Sequence, residues 1–229
     1  GAIQFTFPAG FKIQAGAFVL VAADPLALQN VYKIPGGQGP FSGSLNNSGE
    51  TIQLFDSFGA LKLEVEYSPK APWPVAADGA GPSLVLARPS FGSEDPRAWT
   101  TSELVGGSPG FQDALQPTSL REVVLNEFLA HTDDPQLDFI ELFNRNKTEV
   151  SLAGCILTDD PTTNRFRIPS GTIIPARGHL SFDQTELGFR LSAAGESIYL
   201  ISPDGTRILD ALRFEGQENG VSSGRSPDG

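Results

Sequence analysis

The sequence is poor in the residues that usually carry chemistry. Its 229 residues hold one cysteine, two histidines, two tryptophans and no methionine. One cysteine excludes an internal disulfide and a thiolate metal cluster, and His131 and His179 leave little for acid–base work or metal ligation. No apolar run approaches the ~20 residues a membrane helix needs, and no signal-like segment opens the chain. Basic residues are the scarcer charge, 16 against 27 acidic, for a formal charge of −11. Phosphate backbones and anionic lipid are therefore poor electrostatic partners. What is plentiful is punctuation, with 25 Gly and 18 Pro. A 39% hydrophobic content is enough to bury a core.

The apolar residues fall in short alternating bursts bounded by turn residues, a strand pattern. Strands are predicted at Phe18–Val21, Thr51–Phe55, Leu61–Tyr67, Ser83–Leu86, Val123–Leu125, Phe139–Leu142, Ser197–Ile201 and Leu209–Phe214. One segment reads as a helix, Pro25–Tyr32, where Asp24 is a plausible N-cap and Pro25 occupies the first helical position. The fold class expected is all-β, two immunoglobulin-like β-sandwich modules in tandem, with at most one short helix in the first.

Internal repetition sharpens this. Phe5-Thr6-Phe7-Pro8-Ala9-Gly10 lines up with Phe166-Arg167-Ile168-Pro169-Ser170-Gly171 at an offset of 161 residues. Leu45-Asn46-Asn47-Ser48-Gly49-Glu50 lines up with Leu191-Ser192-Ala193-Ala194-Gly195-Glu196 at an offset of 146. The first copy thus carries fifteen extra residues between the blocks, where the helix and the Gly36–Gly43 loop fall. The second copy has a lead-in, Glu122 to Thr158, with three expected strands and no counterpart in the first. The first copy continues past Asp78-Gly79 into a tail ending at Gly110, and the second stops at Asp228-Gly229. The expected modules are residues 1–115, N-terminally incomplete, and 116–229, C-terminally incomplete, joined by a linker at Phe111–Leu120. The chain reads as a window on a longer array.

Several motifs carry a family resemblance. Val123-Val124-Leu125-Asn126-Glu127, Asp138-Phe139-Ile140-Glu141-Leu142-Phe143-Asn144 and Val150-Ser151-Leu152-Ala153-Gly154-Cys155-Ile156-Leu157-Thr158 resemble the lamin tail domain, as does Gly224-Arg225-Ser226-Pro227-Asp228-Gly229. In the first copy, Trp73-Pro74, Asp78-Gly79-Ala80-Gly81-Pro82-Ser83-Leu84 and Asp95-Pro96-Arg97-Ala98-Trp99 resemble the bacterial form. The resemblance implies an immunoglobulin-like sandwich, not itself an enzyme, set in large secreted or surface-attached bacterial proteins. No heptad run accompanies it, which argues against a nuclear filament protein. Cys155 stands where that family often places Trp or Tyr, implying a locally lighter core.

The remaining chemical candidates each have a plainer reading. Gly220-Val221-Ser222-Ser223-Gly224 matches a nucleophile-elbow pattern but is followed by Pro227-Asp228-Gly229 instead of a helix. Cys155 sits in a burying pattern, and the histidines read as surface or strand-end residues. Asp133, Asp134, Asp138, Asp159 and Asp160 are candidates for a hard cation such as Ca²⁺, without EF-hand spacing; solvated turn carboxylates are the favoured reading. Asn46-Asn47-Ser48 and Asn146-Lys147-Thr148 fit the glycosylation pattern by chance. Nine of the ten basic residues beyond position 117 are Arg, a residue suited to interfaces, but no basic face with interleaved aromatics points to nucleic acid.

The function expected is a non-catalytic structural or protein-interaction module of a larger secreted or cell-surface bacterial protein. Its partners would be other proteins or neighbouring copies meeting it at open sheet edges, which are pairing templates, to build an array or fibre. The alternative is a carbohydrate-binding module, with Trp73, Trp99, Tyr67 and Phe91 as the glycan platform, or a Ca²⁺-dependent adhesion module, attached to a secreted enzyme.

Overall fold

Alternating apolar residues separated by tight turns give strands that hydrogen-bond to whatever chain lies beside them, so the neighbour decides which bursts become sheet. The computed structural model of the chain describes residues 2–113, 116–163 and 165–229. The expected linker Phe111–Leu120 and the boundary at 115/116 lie partly outside the described residues. The chain divides into two units: Gly1–Pro74, Ser83–Ser102 and Gly106–Ala114 in the first, Val75–Pro82, Glu103–Val105 and Leu115–Gly229 in the second.

The first unit holds helix α1 (Pro25–Tyr32) and strands β1 (Glu50–Phe55), β2 (Leu61–Tyr67), β3 (Leu84–Leu86) and β4 (Trp99–Thr101). Helix α1 starts as its sequence dictates: the Asp24 carboxylate accepts from the Ala27 N–H at 2.9 Å, and Pro25 fills the first turn. The sheets are two antiparallel pairs, β1–β2 and β3–β4. Its buried apolar side chains, among the described residues, are Ile34, Val65, Trp73 and Ala98. The strand expected at Phe18–Val21 is not formed; only an isolated bridge, Val21 to Gln38, is present.

The second unit is a two-sheet sandwich. Its strands are β5 (Val123–Leu129), β6 (Phe139–Asn144), β7 (Val150–Ser151), β8 (Ile156–Thr158), β9 (Phe166–Arg167), β10 (Ile173–Ile174), β11 (His179–Asp183), β12 (Gly195–Ile201), β13 (Ile208–Glu215) and β14 (Ser223–Gly224). The lead-in thus supplies four strands, not three, because the two-residue β7 pairs with β10. Two four-stranded sheets, ordered β11-β6-β5-β14 and β13-β12-β8-β9, enclose the core. Leu125, Ile140 and Leu142 from one sheet meet Leu157, Ile198 and Leu200 from the other, all at most 1% exposed. Burying such side chains contributes roughly 1.5–3 kcal/mol each. The fold is all-β and immunoglobulin-like, with helix content confined to α1, the four-residue α2 (Gln184–Leu187) and short 3-10 turns.

Two local features shape this sandwich. In β5 the register with β6 slips between Leu125 and Glu127, leaving Asn126 as an extra bulged residue. Val123 and Leu125 point inward before the bulge, and Phe128 and Ala130 after it, so charged Glu127 is kept out of the core. Helix α2 begins with a capping box: Asp183 accepts from the Thr185 and Glu186 N–H groups, and the Glu186 carboxylate accepts from the Asp183 N–H.

The offsets of the repeat reappear as geometry. Hairpins β1–β2 and β12–β13 both slip register one residue before the end of their first strand, between Leu54 and Phe55 and between Leu200 and Ile201. Gly49 and Gly195 hold φ of 94° and 102°, and a Cβ on either would stand within 2.6 Å of the carbonyl oxygen of Tyr67 or Phe214. Only glycine fits both demands. The next carboxylate binds back to the loop in each, Glu50 to the Asn46 N–H at 3.0 Å and Glu196 to the Ser192 N–H at 2.6 Å.

Candidate functional site

The residues singled out for chemistry are scattered and mostly engaged in holding the fold. Cys155 is fully buried in the sandwich core, and burial pushes its thiol up to about 11, far from a reactive thiolate. His179 lies on β11 against the Phe143 ring, with Nε2 3.3 Å from an Asp228 oxygen. His131 Nδ1 is 2.9 Å from the Gln217 carbonyl oxygen. Ser222 precedes β14, and the chain after it runs into a turn, so the elbow geometry is absent there.

Of the acidic candidates, Asp133, Asp138 and Asp160 hydrogen-bond to protein groups. Asp138 is buried and accepts from Thr132 Oγ1 at 2.8 Å and the Leu191 N–H at 3.1 Å, tying β6 to the loop before β12. Asp133 accepts from Asn219 Nδ2 at 2.6 Å, while Asp134 is exposed. Asp160 accepts from the side chain and N–H of Thr162 and from the Thr163 hydroxyl, and these bonds hold its carboxyl below the usual range. Asp159, half-buried, adjoins it in sequence. Among the described residues, no three His, Cys, Asp or Glu side chains are grouped to hold a metal ion. Asn146 donates its amide to the Ser119 carbonyl and the Asn144 carboxamide oxygen, which withdraws it from a glycan-acceptor role.

The residues expected to form a glycan platform lie in different surroundings. Trp73 is buried with its ring centroid 6.0 Å from that of Trp99, whose indole N–H donates to the Ser93 carbonyl. Tyr67 donates to the Asn46 carbonyl at 2.8 Å. Phe91 is exposed, with the Arg97 guanidinium 5.3 Å over its ring.

The bulge in β5 gathers the polar motifs that the sequence singles out. The Asn126 carboxamide donates to Glu141 at 3.0 Å and to Asp228 at 3.3 Å, and accepts from the Gly229 N–H at 3.0 Å. Arg225 donates Nε to the Leu125 carbonyl at 2.8 Å and meets Asp210 at 3.0 Å. Asp210 in turn accepts from the Leu125 N–H at 2.8 Å. Burial raises the Asp210 carboxyl, against the opposing pull of Arg225 and two backbone N–H groups. This cluster occupies the β5 edge with side chains, which discourages pairing with another chain.

A second arrangement escapes sequence reading. The outward face of β12–β13 is apolar, and within the second unit Tyr199, Ile201, Ile208 and Ile156 pack with Ala76 and Ala80. The buried Glu103 carboxylate meets Arg207 Nε at 2.8 Å and Arg121, while Asp78 meets Arg213 at 2.8 Å. The segments Val75–Pro82 and Glu103–Val105 thus strap that face. The Arg excess beyond position 117 was the available signal, and three of those arginines anchor the strap.

The first unit presents the opposite situation. The inner face of β1–β2 carries Ile52, Leu54, Leu63 and Val65, yet Leu54 is 43% and Leu63 is 37% exposed. Phe55, Phe58 and Leu61 at the hairpin tip are exposed as well. Among the described residues no strand pairs with the other edge of β1. This apolar, open-edged hairpin is the candidate interaction site.

The second unit is an immunoglobulin-like sandwich with its thiol in the core, and the first unit, among the described residues, presents a hairpin with one unpaired edge. Residues 116–215 match the family model of the Lamin Tail Domain, a non-enzymatic immunoglobulin-like family suited to protein interaction. The match covers β5 to β13 and stops short of β14. No curated protein matches the chain. No helix among the described residues is long and apolar enough to cross a membrane.

Proposed function

We propose that the chain is a structural or protein-interaction module of a larger secreted or cell-surface bacterial protein, built from two related lamin-tail-type sandwiches. It meets protein partners or neighbouring copies through open sheet edges and so contributes to an array or fibre. The observation that carries this reading is the unpartnered hairpin β1–β2, whose inner leucines are exposed although the equivalent hairpin is sealed in a core. Monomeric proteins seldom leave such an apolar patch beside an open edge unless it is used. The acidic charge keeps the module soluble between such contacts.

Sedimentation velocity over a hundredfold range of concentration tests the reading. Association of the chain, or its binding of an added strand-forming polypeptide, is expected and is lost in Leu54→Lys. A chain that stays monomeric and binds no polypeptide overturns it. A carbohydrate-binding or Ca²⁺-dependent adhesion role, attached to a secreted enzyme, would instead show glycan binding lost in Trp99→Ala, or a melting temperature lowered by chelator.

A further inference from the structure

The strap over β12–β13 consists of two chain segments, Val75–Pro82 and Glu103–Val105, separated in sequence by hairpin β3–β4. At the base of that hairpin the Ser102 N–H donates to the Ser83 carbonyl at 2.8 Å, and the Ser83 N–H donates to the Ser102 hydroxyl at 2.9 Å. The two segments therefore leave it side by side. They also pack on each other: Gly81 holds a φ of 102°, and a Cβ there would stand 2.7 Å from Cγ1 of Val105. Much of the ordering that a bound segment requires is thus built into the strap itself.

The surface it meets is matched to it in size and charge. Tyr199, Ile201 and Ile208, at most 7% exposed, pack with Ala76 and Ala80. Arginines flank them, Arg213 against Asp78, and Arg207 and Arg121 against the buried Glu103. The Val105 N–H adds a main-chain bond to the Thr206 carbonyl at 2.9 Å. Hairpin β1–β2 keeps the register but not these side chains. Where β12–β13 carries Tyr199, Ala211 and Arg213, the corresponding positions of β1–β2 hold Gln53, Glu64 and Glu66. Glutamate in place of Arg213 turns the attraction for Asp78 into repulsion, and a repulsive element of this kind makes a surface selective.

We infer that the outward face of β12–β13 is a docking surface whose ligand is the segment pair at the base of β3–β4. The ligand is held non-covalently and does not depend on the chain link through residues 111–120. Its chemistry is that of a polypeptide with small apolar side chains flanked by carboxylates. The inference makes no use of the open edge of β1–β2, so either reading can fail without the other.

For the test, a site for a specific protease is inserted after the exposed Gln116, and the full chain is folded and then cut. Sedimentation velocity follows the two pieces, which are expected to travel together at low micromolar concentration. Glu103→Lys, facing two arginines, is expected to raise their dissociation constant about tenfold or more. Asp78→Arg is expected to raise it about threefold or more, the smaller effect of a partly exposed pair. Adding Arg213→Asp to Asp78→Arg is expected to restore the affinity, which a merely misfolded variant would not allow. Glu64→Lys, on the face of β1–β2, is expected to change nothing. Pieces that part on cutting overturn the inference. So does an affinity that ignores Glu103→Lys, or a charge-swapped pair no better than Asp78→Arg alone.

Discussion

Hairpins β1–β2 and β12–β13 are built alike and buried differently. Each begins at a positive-φ glycine that only a missing side chain permits, ties its entry loop to a Glu, and slips register one residue before the end of its first strand. Yet Leu200 is fully buried and its counterpart Leu54 is 43% exposed. Local sequence therefore determines the hairpin, while its burial depends on strands β5 to β8 that close over only one of the two. The outward faces diverge too. Thr51, Gln53, Glu64 and Glu66 leave that of β1–β2 polar, whereas Tyr199 and Ile201 make that of β12–β13 a seat for the strap.

Truncation separates the hairpins most strongly. Leu200→Ala is expected to cost about 2–5 kcal/mol, the range for emptying a buried leucine site. Leu54→Ala should cost under about 1 kcal/mol, since a surface position lacks the cavity term. Denaturant unfolding followed by hydrogen exchange in each hairpin measures both, and equal losses would break the comparison.

Removing the strap's buried charge comes next. Glu103→Ala is expected to destabilise the second unit by about 2–3 kcal/mol, less than the 3–5 of a wholly buried pair. The discount reflects guanidiniums that are still 23% and 29% exposed. On the outward face of β1–β2, Glu64→Ala should stay within about 0.5 kcal/mol.

Cysteine accessibility gives an all-or-none reading of core integrity. Cys155, with its thiol near 11, should resist alkylation at pH 8 in the native chain and react fully once the chain is unfolded. Leu200→Ala should speed the native reaction and Leu54→Ala should not, as mass-spectrometric labelling would show.

Acid should treat the hairpins alike, because both turns use a carboxylate in the same way. Asp204 is held at about 2 by the Ser202 hydroxyl and then by the Thr206 N–H and side chain, and Asp56 is lowered by the Ala60 N–H and then by Lys62 and the Phe58 N–H. A lowered carboxyl stabilises the fold above its ordinary value near 4 and loses that contribution as pH falls through its folded value. Protection against exchange in both turns, measured against the intrinsic amide rate at each pH, should fall between about pH 4 and 2; a fall in one alone would show that the turns are not equivalent. Smallest of all, Phe58→Ser, at a side chain 95% exposed, should leave stability within about 0.5 kcal/mol.

Much of this architecture is legible without coordinates. Helix α1 and strands β1, β2, β6, β12 and β13 follow from capping, alternation and turn residues, each signal being local. Phe18–Val21 has the same local signal and fails, since a strand needs a neighbour that alternation cannot supply. Helix α2 was missed although its signal is present, an Asp183-x-x-Glu186 box in a segment too short to show helical period. The strap went unseen because its contacts include Glu103 with Arg207, 104 positions away, and Asp78 with Arg213, 135 positions away. For the site, among the described residues no strand pairs with the other edge of β1, and the rings of Trp73 and Trp99, named for glycans, lie 6.0 Å apart.

The bulge at Asn126 has a consequence for how β5 tolerates change. A strand with one residue too many is two half-strands written in opposite phase, and Asn126 is the comma between them. Swapping a side chain on either half alters one position. Deleting Asn126 would merge the two halves into one regular alternation with Val123, Leu125, Phe128 and Ala130 still inward, whereas deleting Phe128 would bring Glu127 to an inward position. Loss of the asparagine should therefore be tolerated better than loss of Phe128, and the sequence of this stretch is best aligned from both ends toward the asparagine.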